Sequence, residues 1–174
     1  VGKSTLFNKL THSRDALVAD VPGLTRDRRY GRMESEDSQV TLIDTGGLFG
    51  GHVLADELTG QTQLAVDEAD LVLLLLDGRD GVTASDEDVV TYLRKSNVAF
   101  LPVINKIDGL NEDQIIADFV RFGFPEYALI SASHNRGLKQ LRETVAEKLS
   151  ALDLPLAAEP EDEPDGIRVA VVGR

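Results

Sequence analysis

An unbroken run of six apolar residues, Leu71 to Leu76, constrains the fold more than any other feature of the chain. A strand with one solvent-exposed face would alternate apolar and polar residues, so this run predicts a strand that is buried on both faces. Further apolar runs alternate with segments of helical period along the chain. This pattern predicts a three-layer α/β fold, in which a mostly parallel sheet carries helices on both faces.

The same alternation gives bounds for the elements. We predict strands at residues 28–34, 39–44, 71–77, 99–105 and 127–131, and helices at 3–11, 54–69, 85–96, 112–122 and 138–152. The first two strands are short and polar, which predicts a hairpin near the edge of the sheet. Pro102 removes a hydrogen-bond donor from its strand, so we expect a bulge or an unpaired edge there.

Composition narrows the class of protein. The net charge is −12, which argues against binding to duplex nucleic acid by charge alone. The absence of cysteine excludes disulfides, thiolate nucleophiles and iron–sulfur clusters. The apolar run is much shorter than the roughly 20 residues of a membrane span, and no signal-like segment opens the chain. We therefore expect a cytoplasmic protein that does not contact a membrane.

Acidic residues and prolines concentrate between residues 153 and 166, a composition typical of a linker. We therefore expect a domain at 1–152, an acidic linker at 153–166, and the start of another domain in the apolar run Ile167 to Val172.

The segment Val1-Gly2-Lys3-Ser4-Thr5 matches the second half of the phosphate-binding loop pattern G-x-x-x-x-G-K-[ST]. Gly2 would let backbone amides close on phosphate oxygens, and the helix start through Thr5 would offer free N–H groups. Lys3 would add a positive charge at the β- and γ-phosphates, and Ser4 a hydroxyl for Mg²⁺. Taken alone, the segment is equally compatible with an ordinary helix start.

A second motif, Asp44-Thr45-Gly46-Gly47, follows a predicted strand directly. Asp44 could hold Mg²⁺ through water at the strand end, where open α/β sheets bind ligands. The Gly47 amide could bind a γ-phosphate and move when that phosphate leaves, which would make the loop a switch. On its own, a strand followed by a glycine-rich turn is the simpler interpretation.

A third motif, Asn105-Lys106-Ile107-Asp108, ends another predicted strand. The Asp108 carboxylate can accept hydrogen bonds from N1–H and the N2 amino group of guanine, whereas adenine offers no donors in that arrangement. Asn105 would tie the loop down, and the Lys106 stem would cover the base. Taken alone, this motif is more simply interpreted as a helix cap before residue 112. Ser131 and Ala132 follow the next strand, and a main-chain amide there would support the base edge.

The order and spacing of the four motifs favour function. The Asp44 motif lies about 40 residues after the phosphate motif, the Asn105 motif about 60 further, and Ser131 about 25 beyond that. Strand ends of a parallel sheet would bring all four to one nucleotide. The sequence therefore predicts binding of GTP and GDP.

At this point the chain resembles the translation-factor class of P-loop GTPases, and more narrowly the Der (EngA) family of bacterial ribosome-assembly GTPases. The resemblance covers the whole chain and rests on residues 15–20, 21–28, 44–48, 105–108 and 131–137. It implies a Mg²⁺-dependent GTPase that acts in assembly of the large ribosomal subunit. Proteins of this family carry two tandem G domains joined by an acidic linker, followed by a KH-like domain.

The resemblance also implies that residues 167–174 are the first strand of a second G domain. The first domain would then lack its own first strand and the first half of its phosphate loop. One hypothesis is that residues 169–174 fill that strand position, either in their own chain or in a neighbouring copy. Deletion of residues 167–174 tests this hypothesis.

Further roles come from the resemblance alone. Thr25 matches the switch threonine that closes on Mg²⁺ and the γ-phosphate, so Ser4, Thr25 and Asp44 would be the metal ligands, and Lys3, Thr25 and Gly47 the catalytic set. Leu48 occupies the place of a water-orienting glutamine in other GTPases. Because leucine cannot orient water, hydrolysis would be slow and would rely on K⁺ or another monovalent cation, on a partner, or on both.

Two alternative functions stay open. One is a nucleotide-dependent binding module without useful turnover, and the other is a P-loop ATPase, although Asp108 argues against the ATPase.

Overall fold

The computed structural model describes residues 1–11, 29–34, 39–45, 60–152 and 167–173. In chain order its elements are α1 (Lys3–Thr11), β1 (Arg29–Glu34), β2 (Gln39–Asp44), α2 (Gly60–Asp67), β3 (Leu71–Asp77), α3 (Ala84–Ser96), β4 (Phe100–Asn105), α4 (Glu112–Phe119), β5 (Ala128–Leu129), α5 (Leu138–Ala151) and β6 (Ile167–Val172), with short 3₁₀ turns at Val120–Phe122 and Ala132–His134.

The strands form one sheet in the order β1-β2-β6-β3-β4-β5. β1 and β2 pair antiparallel at one edge, and every other pairing is parallel. The expected edge hairpin is therefore confirmed. So is the predicted α/β class, because the helices cover both faces of this mostly parallel sheet.

β3 explains the layering, since all seven of its residues are buried. Leu71, Leu73 and Leu75 pack in one core with side chains of α1 and α5. The alternate residues Val72 and Leu74 pack in a second core with side chains of α2, α3 and α4. The apolar run is thus continuous because each of its two faces meets a separate helix layer.

β6 lies in the middle of the sheet, parallel to β2 on one side and to β3 on the other. Its last four residues, 169–172, are buried. Asp70 secures its start, because the Asp70 amide donates to the Arg168 carbonyl at 2.8 Å and the Arg168 amide donates to the Asp70 carboxylate at 2.7 Å. The segment we expected to open another domain fills the strand position in this chain's own sheet, and its assignment to a second domain stays a prediction.

Several predicted bounds shift for local reasons. α3 begins one residue early because Thr83 and Asp86 form a reciprocal capping box. α4 ends at Phe119 and continues as the 3₁₀ turn, which ends at the left-handed Gly123. β4 begins at Phe100, and β5 is shorter than predicted. Of the helix predicted at 54–69, residues 60–69 are described, and α2 ends at Asp67, two residues before the predicted end. Among the described residues, no helix is both long and apolar enough to cross a membrane.

Pro102 causes no bulge between β3 and β4, because the register is continuous and pairs it with Leu74. On the other side, β5 pairs with Val103 and Ile104. Pro102 thus precedes the start of the β5 ladder, and its missing donor interrupts no pairing on that side. Of the two expected outcomes, the unpaired edge is observed.

Candidate functional site

The described parts of the four motifs meet at the carboxyl edge of the parallel strands. Asp44 ends β2, Asn105 ends β4, and Ser131 follows β5. Gly2 precedes α1 and Lys3 begins it at the same edge, where Asn105 donates to the carbonyl of Val1. Ligand sites of open α/β sheets lie at this edge, outside the carboxyl ends of the strands.

Gly2 is confined by its surroundings. Its φ is +92°, and a Cβ there would lie 2.7 Å from the Asn105 side-chain nitrogen, so only glycine fits. The Leu6 amide donates to the Gly2 carbonyl at 2.9 Å, which closes the first turn of α1. Ser4 and Thr5 are exposed on that turn. The first turn can therefore present N–H groups and a hydroxyl to an anion.

Lys3 is a buried lysine on the inner side of this turn. Its ammonium donates to the Gly173 carbonyl at 2.7 Å, directly after β6. Burial lowers the pKa of Lys3, and the nearby Asp44 carboxylate opposes that effect. Thr45 is joined to β6 as well, because its hydroxyl donates to the Val171 carbonyl at 2.7 Å. The central strand thus contacts two residues of the predicted phosphate site.

Asn105 connects the two sides of the site. Its Nδ2 donates to the Val1 carbonyl at 2.9 Å, next to Gly2. Its Oδ1 accepts the Ala132 amide at 3.0 Å. One buried side chain therefore fixes the distance between the start of α1 and the loop after β5.

Asp108 lies among donors. Its Oδ1 accepts a hydrogen bond from the Ser131 hydroxyl at 2.8 Å, and its Oδ2 accepts one from Nη2 of Arg79. The hydrogen bond from Ser131 is the main reason why the pKa of Asp108 is below its ordinary value, and the positive charge of Arg79 adds to it against the opposing effect of burial. His134 Nδ1 lies 3.0 Å from the Ser131 hydroxyl. The carboxylate is thus held in its ionised form, in which both oxygens act as hydrogen-bond acceptors.

Lys106 has a positive φ of 65°, which turns the chain sharply between Asn105 and Asp108. Its ammonium pairs with Asp77 Oδ2 at 2.5 Å. Burial alone would raise the pKa of Asp77, but hydrogen bonds from Lys106 and from the amides of Arg79 and Asp80 outweigh it and lower the pKa. The loop is therefore supported by the end of β3.

The simpler alternative for the third motif was a cap of the next helix. Asn111 performs that role, because its side chain accepts the Asp113 amide at 2.9 Å and caps α4. Asp108 instead faces Ser131 and Arg79.

Our sequence reasoning missed the contributions of Asp77 and Arg79. A signal was available, since Asp77 is the last residue of the most buried strand, as Asp44 is the last residue of β2. A carboxylate at the end of a parallel strand lies at the ligand-binding edge in both cases.

Four predicted site residues, Thr25, Gly46, Gly47 and Leu48, lie outside the described residues. Within the described ranges, no group of three or more histidine, aspartate or glutamate side chains could hold a metal. Ser4 and Asp44 supply a hydroxyl and a carboxylate, which are hard oxygen donors of the kind that Mg²⁺ accepts alongside water and phosphate oxygens. The donor set therefore fits Mg²⁺ bound together with a nucleotide.

Fold and site together define a P-loop nucleotide-binding domain of the three-layer α/β class. The chain belongs to the 50S ribosome-binding GTPase family, whose sequence profile matches residues 1–106.

Curated relatives carry the name GTPase Der. The protein from Marinobacter nauticus is 50% identical over 180 residues, and the match covers 100% of this chain and 36% of that protein. The protein from Thioalkalivibrio sulfidiphilus is 49% identical over 175 residues, with 100% and 37% covered. The chain thus spans little more than a third of the length of these relatives.

Solved structures show the same fold. Era in complex with MgGDPNP and a segment of 16S ribosomal RNA is 26% identical, with a TM-score of 0.70 over 94% of this chain and 57% of that one. Era from Aquifex aeolicus bound to GDP and AlF₄⁻ is 26% identical, with a TM-score of 0.67 over 95% and 57%.

Proposed function

We propose that this chain binds guanine nucleotides at the carboxyl edge of its sheet. In the longer protein to which its relatives point, it would hydrolyse GTP to GDP and phosphate with Mg²⁺. The observation that carries this proposal is the connection made by Asn105, which joins the start of α1 to the loop that holds Ser131 and Ala132. This connection supports the proposal because it holds the turn with Gly2 and Lys3 at a fixed distance from the loop whose Ser131 orients Asp108.

In this proposal, Gly2, Lys3, Ser4 and Thr5 bind the phosphates. Asn105, Lys106, Asp108 and Ser131 bind the base, and Ala132 supports the loop that carries Ser131. Ser4 and Asp44 hold Mg²⁺, together with Thr25 as the resemblance implies. The ion would neutralise charge on the β- and γ-phosphates. The loop with Thr45, Gly46, Gly47 and Leu48 would respond to the γ-phosphate.

Guanine selectivity follows from the chemistry of Asp108. An ionised carboxylate accepts from both donors on the guanine edge, whereas adenine would leave it desolvated and unpaired. The Ala132 amide is committed to Asn105, so in this chain it shapes the loop that carries Ser131. Ser131 in turn orients Asp108 through its hydroxyl.

The test is a titration of the chain with a fluorescent GDP analogue in Mg²⁺, with GTP, ATP and xanthosine diphosphate as competitors. We expect GDP and GTP to displace the probe at much lower concentration than ATP. Asp108→Asn should lose this preference by at least about tenfold. It should gain affinity for xanthosine diphosphate, because an amide matches the N1–H donor and C2 carbonyl of xanthine.

The matched control is Asp88→Asn, which makes the same substitution at an exposed position on α3. It should keep the guanine preference of the parent chain. Equal displacement by ATP and GTP in the parent chain would reject the guanine site and favour the ATPase alternative.

Leu48 favours a second candidate, a nucleotide-dependent binding module with little turnover. Tight GTP binding without phosphate release in single-turnover assays, with K⁺ and with ribosomal subunits added, would support that module. Phosphate release stimulated by K⁺ or by large subunits would support the GTPase.

For the longer protein, we infer a role in large ribosomal subunit assembly and a cytoplasmic location. We also infer that a second G domain and a KH-like domain are its partners in the same chain.

A further inference from the structure

The turn after β3 is docked on the loop that carries Asp108. Asp77 Oδ1 accepts the amide of Arg79 at 3.0 Å and that of Asp80 at 3.3 Å, which fixes the turn locally. The Gly78 amide donates to the Asn105 carbonyl at 2.8 Å, and the Asp77 carboxylate pairs with Lys106. The backbone of Arg79 is therefore held beside the third motif by several independent contacts.

The Arg79 side chain reaches from this turn to Asp108. Its Nη2 donates to Asp108 Oδ2, while Ser131 donates to Oδ1. The Arg79 side chain is 55% exposed and that of Asp108 is 23% exposed. The guanidinium thus lies on the solvent side of the carboxylate and can leave it without crossing the core.

A guanidinium and a guanine edge present similar donors. Each offers parallel N–H groups in a planar fork that fits a carboxylate, and the guanidinium adds a full positive charge. Asp108 Oδ2 is one of the two oxygens that N1–H and the N2 amino group would use. The arginine and the base therefore compete for the same acceptor.

We propose that Arg79 is a competing occupant of the base subsite, which guanine must displace from Asp108 in order to bind. The inference rests on the proposed guanine site and adds a residue that tunes its affinity. The other basic side chains nearby do not contact Asp108 Oδ2 in place of Arg79. Lys106 pairs with Asp77, and His134 Nδ1 lies 3.7 Å from Asp108 Oδ1, the oxygen that accepts the Ser131 hydroxyl.

The size of the effect follows from population arithmetic. When only a fraction of molecules has Asp108 accessible, the apparent dissociation constant is the intrinsic one divided by that fraction. Exposed ion pairs are weak, so the contact between Arg79 and Asp108 should raise the apparent dissociation constant of GDP by a factor of only about two to five. Arg79→Ala should bind GDP about two- to fivefold more tightly than the parent chain at low ionic strength.

Salt gives a readout that a purely structural role would not produce. Raising ionic strength screens an exposed ion pair and frees Asp108 in the parent chain. The advantage of Arg79→Ala should therefore shrink toward unity between about 0.05 and 1 M KCl. In an Asp108→Asn background, which lacks the charge that holds the guanidinium, Arg79→Ala should bind GDP no more tightly than a variant that loses an arginine elsewhere on the surface.

The matched control is Arg121→Ala, which removes an equally exposed arginine that pairs with Glu87 on α3. It changes the net charge identically, so it corrects for the weaker attraction of anionic GDP. Thermal unfolding of each variant verifies that the fold is intact.

The outcomes separate the two proposals. Tighter GDP binding by Arg79→Ala than by Arg121→Ala, with the expected salt dependence, supports the competition. Equal or weaker binding by Arg79→Ala, in a chain that still prefers GDP to ADP, overturns the competition and leaves the guanine site standing. Loss of that preference in the parent chain itself rejects both.

Discussion

The proposed phosphate-binding half of the site, called the phosphate half here, comprises Gly2 to Thr5, Asp44 and Thr45, and it joins residues that are far apart in the chain. The proposed base-binding half, called the base half, comprises Asn105 to Asp108, Ser131 and Ala132, and it is built from neighbouring loops. Lys3 contacts Gly173 across 170 positions, and Thr45 contacts Val171 across 126. In the base half, Ser131 contacts Asp108 across 23 positions, and Ala132 contacts Asn105 across 27. Closing a longer loop costs more conformational entropy, so the phosphate half depends on a less favourable closure.

This difference in sequence separation shows which contacts each half of the site depends on. The base half lies between β3 and α5 and rests on side chains that follow strand ends. The phosphate half requires β6 between β2 and β3 before Lys3 and Thr45 find their partners. Perturbing β6 should therefore damage the phosphate half first, and perturbing Asn105 should uncouple the two halves.

The largest expected effect comes from deletion of residues 167–174. The deletion removes Val169, Val171 and Val172, which are buried, and each contributes about 1.5–3 kcal/mol. The sum is comparable to the whole free energy of unfolding of a typical domain, about 5–15 kcal/mol. Circular dichroism during urea and thermal unfolding should show a chain without a cooperative transition.

The control for this deletion is a synthetic peptide of residues 163–174 added to the truncated chain. If β6 stabilises the sheet by docking, the peptide should restore a cooperative transition in a concentration-dependent way. An unchanged midpoint in the truncated chain would contradict the central position of β6.

The next effect concerns Asn105, the side chain that connects the two halves. Asn105→Ala removes both of its hydrogen bonds and leaves the Val1 carbonyl and the Ala132 amide without this partner, which should cost about 2–4 kcal/mol of stability. Asn8→Ala, at an exposed position on α1, is the control and should change stability by less than about 0.5 kcal/mol.

Asn105→Asp makes the test sharper. The carboxylate still accepts the Ala132 amide but repels the Val1 carbonyl, so only the contact with the phosphate half is lost. Hydrogen exchange should show the Ala132 amide protected in Asn105→Asp and exchanging faster in Asn105→Ala. Equal exchange rates in the two variants would show that Asn105 does not hold the base half.

Much of this architecture could be predicted from the sequence because its signals are local. The apolar run at β3 predicted that helices cover both faces of the sheet. The polar residues at and after the strand ends predicted that a ligand binds at the carboxyl edge of the sheet. The partner of Lys3 could not be predicted in this way, since Gly173 lies at the other end of the chain. Hydrophobic period indicates that Ile167 to Val172 is a strand, but the neighbours of a parallel strand depend on tertiary packing.

The contacts of Asp77 and Arg79 were missed for another reason. A charged side chain in a loop carries no periodic signal, and its partner is decided by how two loops dock. The Asp77–Arg79 turn reaches the third motif through Gly78, whose amide bonds to the Asn105 carbonyl. That contact depends on the parallel register of β3 and β4, which ends at Asp77 and Asn105.

The smallest expected effect is a difference in acid sensitivity between the two halves. The folded-state pKa of Asp77 is lowered, as is that of Asp108, so their contacts stabilise the fold above the unfolded-state pKa near 3.8. This contribution is lost as pH falls through the lowered values, below about pH 4. The acceptors at Val171 and Val1 are backbone carbonyls, which take up no proton in this range.

Asp77→Asn should therefore be less stable than the parent chain at pH 7 but should lose less stability between pH 5 and pH 2. The free energy of unfolding in urea at each pH gives the comparison, with Asp88→Asn as the control that should follow the parent chain. Exchange of the Gly78 amide reports the base half separately, because that amide bonds across to Asn105. Identical acid slopes for Asp77→Asn and Asp88→Asn would mean that the Asp77–Lys106 pair contributes nothing to stability, and the base half would then rest on its other contacts, among them the hydrogen bonds of Asn105 and Ser131.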